Sequence, residues 1–501
     1  MKQLSIYLAK HSLKIIMYGA IGSFLMLLIV LVVFLNNQAD LSIWHTTHLD
    51  EEYTAKSEIN SFDDYRQLEE RLFKQLDKEI YKNISESEKQ AINRYHTGSL
   101  SDPNHQPINW NRSYEMPVKA PQAGILLIHG LSDSPYSLKS LAQGFNRSGA
   151  WVVGLRLPGH GTAPSGLVHM QWQDMTAAVK LAMRHLKSKV RNQPVYIVGY
   201  STGGALAVQY VLQTLDDPEL PEVQGIMMTS PAIGVPGIAV LAKWQARLGY
   251  LLGLEKLQWN SVLPEYDPYK YGSFAVIAGE QVYRLTQEIQ SLLEQHSKEE
   301  LKKIPPILAF QSVVDNTVST PALVGGLFSL LPDNGHELVL FDINRSLGID
   351  FLLKKDPANE VRTILQQSDN TFTLSFLTNK DKHSNWITLR QRKAGEVQVL
   401  EQETRMVWPK DIYSLSHLAL AIPADDPIYG SGKKANRAGV SLGNLALRGE
   451  AGVLQISAKN MLRLRWNPFY SYIEKRMHQF TQLKRVTEQS NIKHRQRKIK
   501  R

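Results

Sequence analysis

Apolar residues are spaced in distinct ways along the chain, and each spacing predicts a different element. Residues 15–35, IIMYGAIGSFLMLLIVLVVFL, carry no charge over 21 positions. As a helix rising about 1.5 Å per residue, they span roughly the 30 Å of a bilayer core. Within 50–95, Tyr65, Leu68, Leu72, Phe73 and Leu76 recur at intervals of three and four. That is the mark of an amphipathic helix, which either packs on a neighbouring domain or stands as a stalk. Polar residues with Pro103 and Pro107 fill 98–111, a boundary before a core.

From there the chain alternates short apolar runs with helical stretches, as around a parallel sheet. GILLIH (124–129), WVVGLRL (151–157), VYIVGY (195–200), GIMMTS (225–230), PILAFQS (306–312) and ELVLFD (337–342) read as strands, mostly buried on both faces. Residues 135–147, 172–191 and 203–215 read as helices. Two segments fit this alternation poorly. Residues 236–303, mostly helical, are expected to form a cap over the site. Residues 346–408, polar and β-leaning with TFTLSF and WITLRQ, are expected to form an inserted lobe. Residues 469–485 read as helical before a tail, KHRQRKIKR. The expected division is a basic segment 1–14, a transmembrane helix 15–35, a stalk or linker 36–109, an α/β domain 110–432 and a C-terminal extension 433–501.

Charge sharpens the ends and clears the middle. The 501 residues hold 57 Lys and Arg against 47 Asp and Glu. Eleven of those bases and one acid fall in 1–14 and 484–501, so the remainder is neutral with 46 of each. A basic groove following phosphates is therefore not expected, nor a nucleic-acid partner. Lys2, Lys10 and Lys14 precede the apolar run and Asp40, Asp50, Glu51 and Glu52 follow it. The positive-inside bias then puts the N-terminus in the cytoplasm and the body on the periplasmic or extracellular side. A cleaved signal peptide is the competing reading, disfavoured by the length of the run and by Asn36, Asn37 and Gln38 after it. The basic tail either rests on anionic lipid or is merely solvated. With no Cys, the chain has neither disulfides nor thiolate chemistry.

Gly199-Tyr200-Ser201-Thr202-Gly203 ends one predicted strand and opens a helix, the context that a nucleophile elbow requires. The two glycines permit a tight turn that lifts Ser201 Oγ out of the sheet. His129-Gly130-Leu131 closes the first core strand, so the Leu131 and Thr202 amides are the candidate oxyanion donors. His129 is expected to brace this loop rather than to act as a base. Asp315 follows the strand PILAFQS and is the candidate acid, with Asp342 its rival. His417 is the candidate base, because His383 lies in the polar insertion and His478 in the last helix, both expected to face solvent.

HGLSDSP, LRLPGHGTAP, GYSTGG, QSVVD and SHLALAIPADDPIYG resemble the motif series of the α/β hydrolases, in the branch of monoacylglycerol lipases, bacterial carboxylesterases and serine aminopeptidase-like proteins. The resemblance covers about 110–345 and 408–432. It implies a triad of Ser201, Asp315 and His417, a helical lid in 236–303, and hydrolysis of ester or related acyl bonds without cofactor or metal. The 102 positions between Asp315 and His417 exceed what the family usually shows. His160, in the loop after LRL, is given no catalytic part.

Three functions follow as alternatives. The first is an esterase or lipase for small acyl esters or lipid-like substrates, suggested by apolar cap residues beside a membrane tether. The second is a peptidase or amidase on the same triad, which needs an acidic cluster for a substrate amine; Glu255, Glu265, Asp267, Glu280 and Glu288 are the candidates. The third is a scaffold that has lost the chemistry.

Overall fold

A computed structural model of the chain describes residues 2–234, 254–367, 370–432, 439–443, 445 and 454–483. Its strands, in chain order, are β1 (Tyr114–Met116), β2 (Ala123–Ile128), β3 (Ala150–Leu155), β4 (Val195–Tyr200), β5 (Gly225–Thr229), β6 (Trp259–Ser261), β7 (Phe274–Ala275), β8 (Ile307–Ser312), β9 (Glu337–Phe341), β10 (Thr373–Asn379), β11 (Trp386–Arg392) and β12 (Leu400–Val407). Ten of them form one sheet in the order β1-β3-β2-β4-β5-β8-β9-β10-β11-β12, while β6 and β7 pair separately. From β3 through β10 every pairing is parallel; β1, β11 and β12 add antiparallel edges.

Side chains alternate across a strand, so a run that is apolar at every position supplies both faces of the sheet. Leu126, Ile128, Ile197, Ile226 and Leu338 point into one core, against the helices Trp172–Val190, Thr202–Gln213 and Val276–Gln295. Ile125, Leu127, Val198, Met227 and Val339 point into the other, against Lys139–Arg147 and Tyr470–Phe480. The crossover strands therefore end on the same side, and the loops after β2, β4 and β8 meet there, where parallel sheets bind their ligands.

Packing revises the expected division of the chain. Of the two readings left open for residues 36–109, the structure has the segment packed on the domain: the helix Phe62–Glu79 buries Tyr65, Leu68 and Leu72, and Trp44 and Leu49 join a cluster with Phe73, Leu76 and Tyr95. The preceding segment is stitched down by Glu52, which accepts two hydrogen bonds from the Arg156 guanidinium (2.9 and 3.0 Å) and one from the Gly159 amide (3.0 Å). Arg156 also donates to Glu69 at 2.9 Å. Residues 346–408 do form strands, but β10 pairs with β9 and extends the main sheet, so no separate lobe stands apart. Arg345 holds the start of this segment through Asp342, Asp350 and Asp356. Of the expected cap, residues 235–253 lie outside those described, and Val276–Gln295 packs on the helices Thr202–Gln213, Gly166–His169 and Trp172–Val190. The domain continues past 432, because Ile473 and Met477 of Tyr470–Phe480 are buried in the core and His478 is buried against Phe145 instead of facing solvent.

The N-terminal helix runs Lys2–Asn37. Over His11–Asn37 it is long and apolar enough to cross a membrane, and none of that span is buried against the domain. The basic tail from 484 lies outside the described residues.

Candidate active site

Ser201 sits between β4 and the helix Thr202–Gln213 with φ 53° and ψ −116°. A positive φ is costly for any residue with a Cβ and persists only where the surroundings enforce it. Here the Ser201 amide donates to the Thr229 carbonyl (3.1 Å), and its own carbonyl accepts from the Ala232 amide (3.0 Å). The flanking glycines are required by crowding. A Cβ at 203 would collide with the Ile128 carbonyl oxygen, and one at 199 would lie 2.5 Å from the Gly203 backbone. Gly130 lies directly over the turn, where an added Cβ would reach 3.0 Å from the Ser201 Cβ.

His417 and Asp315 come together despite their separation in sequence. His417 Nδ1 is 2.9 Å from Asp315 Oδ2, and both side chains are almost entirely buried, at 4% and 0% exposure. Since a carboxylate only accepts, Nδ1 carries the proton and Nε2 is left as the free acceptor. The other Asp315 oxygen accepts from the Thr317 and Val318 amides (2.8 and 3.1 Å). Burial pushes the Asp315 carboxyl up, but the His417 hydrogen bond and charge, with these amides, hold it below the ordinary carboxylate value. Burial lowers the His417 imidazole below 6.5, opposed by Asp315. The ring is neutral at pH 7. It stands 5.3 Å, centroid to centroid, from the ring of Tyr200, the residue preceding Ser201. Ser201 Oγ and His417 share no hydrogen bond among the described residues; in free enzymes such contacts are commonly long and tighten on binding.

The 102-position separation is absorbed by the sheet, since β9 through β12 fit between Asp315 and His417 without moving either from its loop. Asp342 is committed elsewhere: it accepts from Arg345 twice (2.8 and 3.0 Å), from Thr378 (2.7 Å) and from the Ile343 amide (2.8 Å). His383 is exposed on the polar segment.

His129 is fully buried and holds the loop after β2. Its Nδ1–H donates to the Gly130 carbonyl (2.8 Å), and its Nε2 accepts from the Leu157 amide (3.0 Å). The Gly130 carbonyl and the Leu131 N–H belong to one planar trans peptide, so fixing one aims the other in the opposite direction. Burial, reinforced by neighbouring His160, keeps His129 neutral, as two such bonds require. Thr202 is the first residue of its helix, where backbone N–H groups lack intrahelical partners.

Two participants lay outside the sequence reading. Lys270 reaches this loop, donating to Ser132 Oγ (3.1 Å) and the Leu131 carbonyl (3.4 Å). Arg156, with Glu52, holds the loop that carries Leu157. Arg156 stood in the quoted motif LRLPGHG, but Glu52 had no signal beyond being an acid in a polar stretch.

A mostly parallel sheet in this order, a serine at positive φ between strand and helix, and a buried Asp–His pair from later loops define the α/β-hydrolase fold. More narrowly, residues 119–319 match the family described as serine aminopeptidase, S33. The chain is 32% identical over 116 residues to a thermostable monoacylglycerol lipase of Bacillus sp. (strain H-257), 23% of this chain and 43% of that protein. It is also 32% identical over 116 residues to phospholipase YtpA of Bacillus subtilis (strain 168), 23% of this chain and 42% of that protein. The chain thus spans less than half the length of these relatives. Among solved structures, a monoacylglycerol lipase of Paleococcus ferrophilus aligns over 46% of this chain and 88% of its own, at 20% identity and TM-score 0.35.

Proposed function

We propose that this protein is a membrane-anchored serine hydrolase that cleaves carboxylic esters of lipid-like or small acyl substrates through an acyl-enzyme. The observation that carries the reading is the buried His417–Asp315 pair beside a serine held at positive φ. In the proposed mechanism, Ser201 Oγ attacks the ester carbonyl while His417 Nε2 takes its proton and Asp315 stabilises the imidazolium. The Leu131 and Thr202 amides hold the oxyanion, each contributing on the order of 3 kcal/mol. The tetrahedral intermediate expels the alkoxide, which leaves as alcohol with the proton from His417. Water, deprotonated by the same ring, then releases the acid and restores Ser201. The relatives named as lipases support the ester reading. The apolar helix supports an anchor with the N-terminus cytoplasmic and the body on the far side.

An aminopeptidase reading has less support, because three of the five candidate acids are engaged internally. Glu265 accepts from the Gly272 and Ser273 amides, Asp267 from Tyr429 and Arg465, and Glu280 from Arg284. Glu255 is exposed.

The test is fluorophosphonate labelling of the detergent-solubilised protein, with a panel of p-nitrophenyl esters and aminoacyl anilides. Ser201→Ala should abolish labelling, and His417→Ala should cut turnover by roughly 10⁴-fold or more. Labelling that survives Ser201→Ala would overturn the assignment, and a preference for anilides would turn the reading to the peptidase.

A further inference from the structure

Two cavities on the described surface share part of their walls. One, of about 610 Å³, is walled by His417, Asn316, Thr317, Leu462 and Arg463. The other, of about 740 Å³, is walled by Trp44, Ile92, Val262, Leu263, Leu454 and Ile456, and begins at Ala39, two residues beyond the end of the helix Lys2–Asn37. Leu445 and Met461 belong to both walls. The larger chamber is of the size that holds a small amphiphile. Its rim carries exposed Ile92 and Leu454, and the smaller cavity carries exposed Leu462 and Tyr413. Apolar side chains grouped at the mouths of cavities mark contact with an apolar partner rather than with water. Apart from residues 262–266, the chamber is built outside the segment that matches the hydrolase family.

We propose that this chamber is an acyl-binding site that takes one hydrocarbon chain of a membrane lipid at the foot of the anchor and leads it past Leu445 and Met461 toward His417. The inference rests on the anchored-hydrolase reading, because the anchor is what brings the chamber mouth to the bilayer surface. The occupant follows from position: the first apolar material that the chamber meets, two residues beyond a membrane-crossing helix, is lipid. The ionisable groups in the wall are engaged within the chain: Asp40 accepts from Lys256 (2.8 Å), Glu88 from the Ser85 amide and hydroxyl (3.0 and 2.8 Å), and Glu265 from two backbone amides. His45 bonds to Ser273 (2.9 Å) and burial lowers its imidazole to about 4.

Full-length protein in nanodiscs provides the test, with a bromine-substituted C18 monoacyl lipid as quencher of Trp44 fluorescence, read as the difference between wild type and Trp44→Phe. Leu454→Glu alters an exposed rim position and should fold; Val262→Arg blocks the wall. The expected result is quenching in the wild type that falls at least fivefold in both variants. In parallel, KM for a long-chain ester should rise about tenfold, while a short-chain ester is hydrolysed unchanged. Quenching that ignores both substitutions, or chain-length preference that does not move, would overturn the chamber. If quenching behaves as expected but no ester is cleaved by any form, the chamber stands as a lipid site and the hydrolase reading fails.

Discussion

The β1–β3 edge and the junction where the late strands join the sheet are secured in the same way, by an arginine among carboxylates, yet the two arrangements differ in depth and in what they touch. At the β1–β3 edge, Arg156 is fully buried between Glu52 and Glu69, which are 19% and 4% exposed. At the junction, where β10 joins β9 two strands inside the other edge, Arg345 reaches Asp342 in the interior but also Asp350 and Asp356, which are 37% and 28% exposed. Removing a partner from a desolvated charge is costly, whereas water replaces a half-exposed one cheaply. The first cluster also lies one loop from the candidate oxyanion donor, through Leu157 and His129. The second holds an added edge on the far side of β8. The lesson is that the chain before β1 is tied to the loop carrying the candidate oxyanion donor, while the late strands are tied to the sheet.

The contrast can be broken or sharpened by substitution. The largest effect is expected for Glu52→Ala, which takes three hydrogen bonds from Arg156 and Gly159 and should destabilise the fold by about 3 kcal/mol. Thermal unfolding would register it, and kcat for a short-chain ester should fall well beyond any change in KM. An unchanged kcat in folded protein would uncouple this edge from the site.

Acid should act next, at the same edge. His160 is fully buried and burial holds its imidazole at about 4, against 6.5 in the unfolded chain. The unfolded chain therefore takes up the proton first. Stability from this group is complete above about pH 6.5 and is lost as pH falls toward 4, by up to about 3 kcal/mol. His160→Asn should flatten the dependence of Tm on pH across that window. A wild-type profile already flat there would refute the assignment.

Activity has its own acid limb. His417 must be neutral to accept a proton, and burial lowers it below 6.5, so the acid limb of kcat/KM should be centred below pH 6.5. A limb centred above 6.5 would contradict the burial of the ring. The smallest effect is expected at the junction: Asp356→Ala should cost about 1 kcal/mol, from two partly exposed ion pairs and one capping contact, with no change in kcat. A loss of activity there would erase the difference between the two clusters.

What the sequence disclosed follows the same division. The buried strands were legible because apolar runs such as VYIVGY have no other use, and the run matches β4 residue for residue. Ser201 was legible because its glycines serve a turn that tolerates no side chain. His417 could be singled out by elimination, but its meeting with Asp315 depends on how β9 through β12 are laid against the sheet, which no local pattern encodes. The attachment of β12 was hidden for another reason: LEQETRMV is exposed along most of its length and is held by backbone pairing to β11, so its side chains carry no burial signal. Residues 38–61 were opaque because their contacts are long-range and follow no period: Glu52 to Arg156, the Ala55 amide to Asp174 and Trp44 stacked on Tyr95, spread among residues that look like a linker.

That tightly sewn segment also fixes how far the protein can reach. With its anchor in a bilayer as proposed, a domain held to its helix by packed residues cannot sweep a volume of solvent as a ball on a string would. Its encounters are then two-dimensional, limited to molecules lying in the same leaflet within a narrow height. Turnover should accordingly follow the mole fraction of substrate in the surface rather than its bulk concentration, and adding inert lipid at constant substrate should slow the reaction by dilution alone.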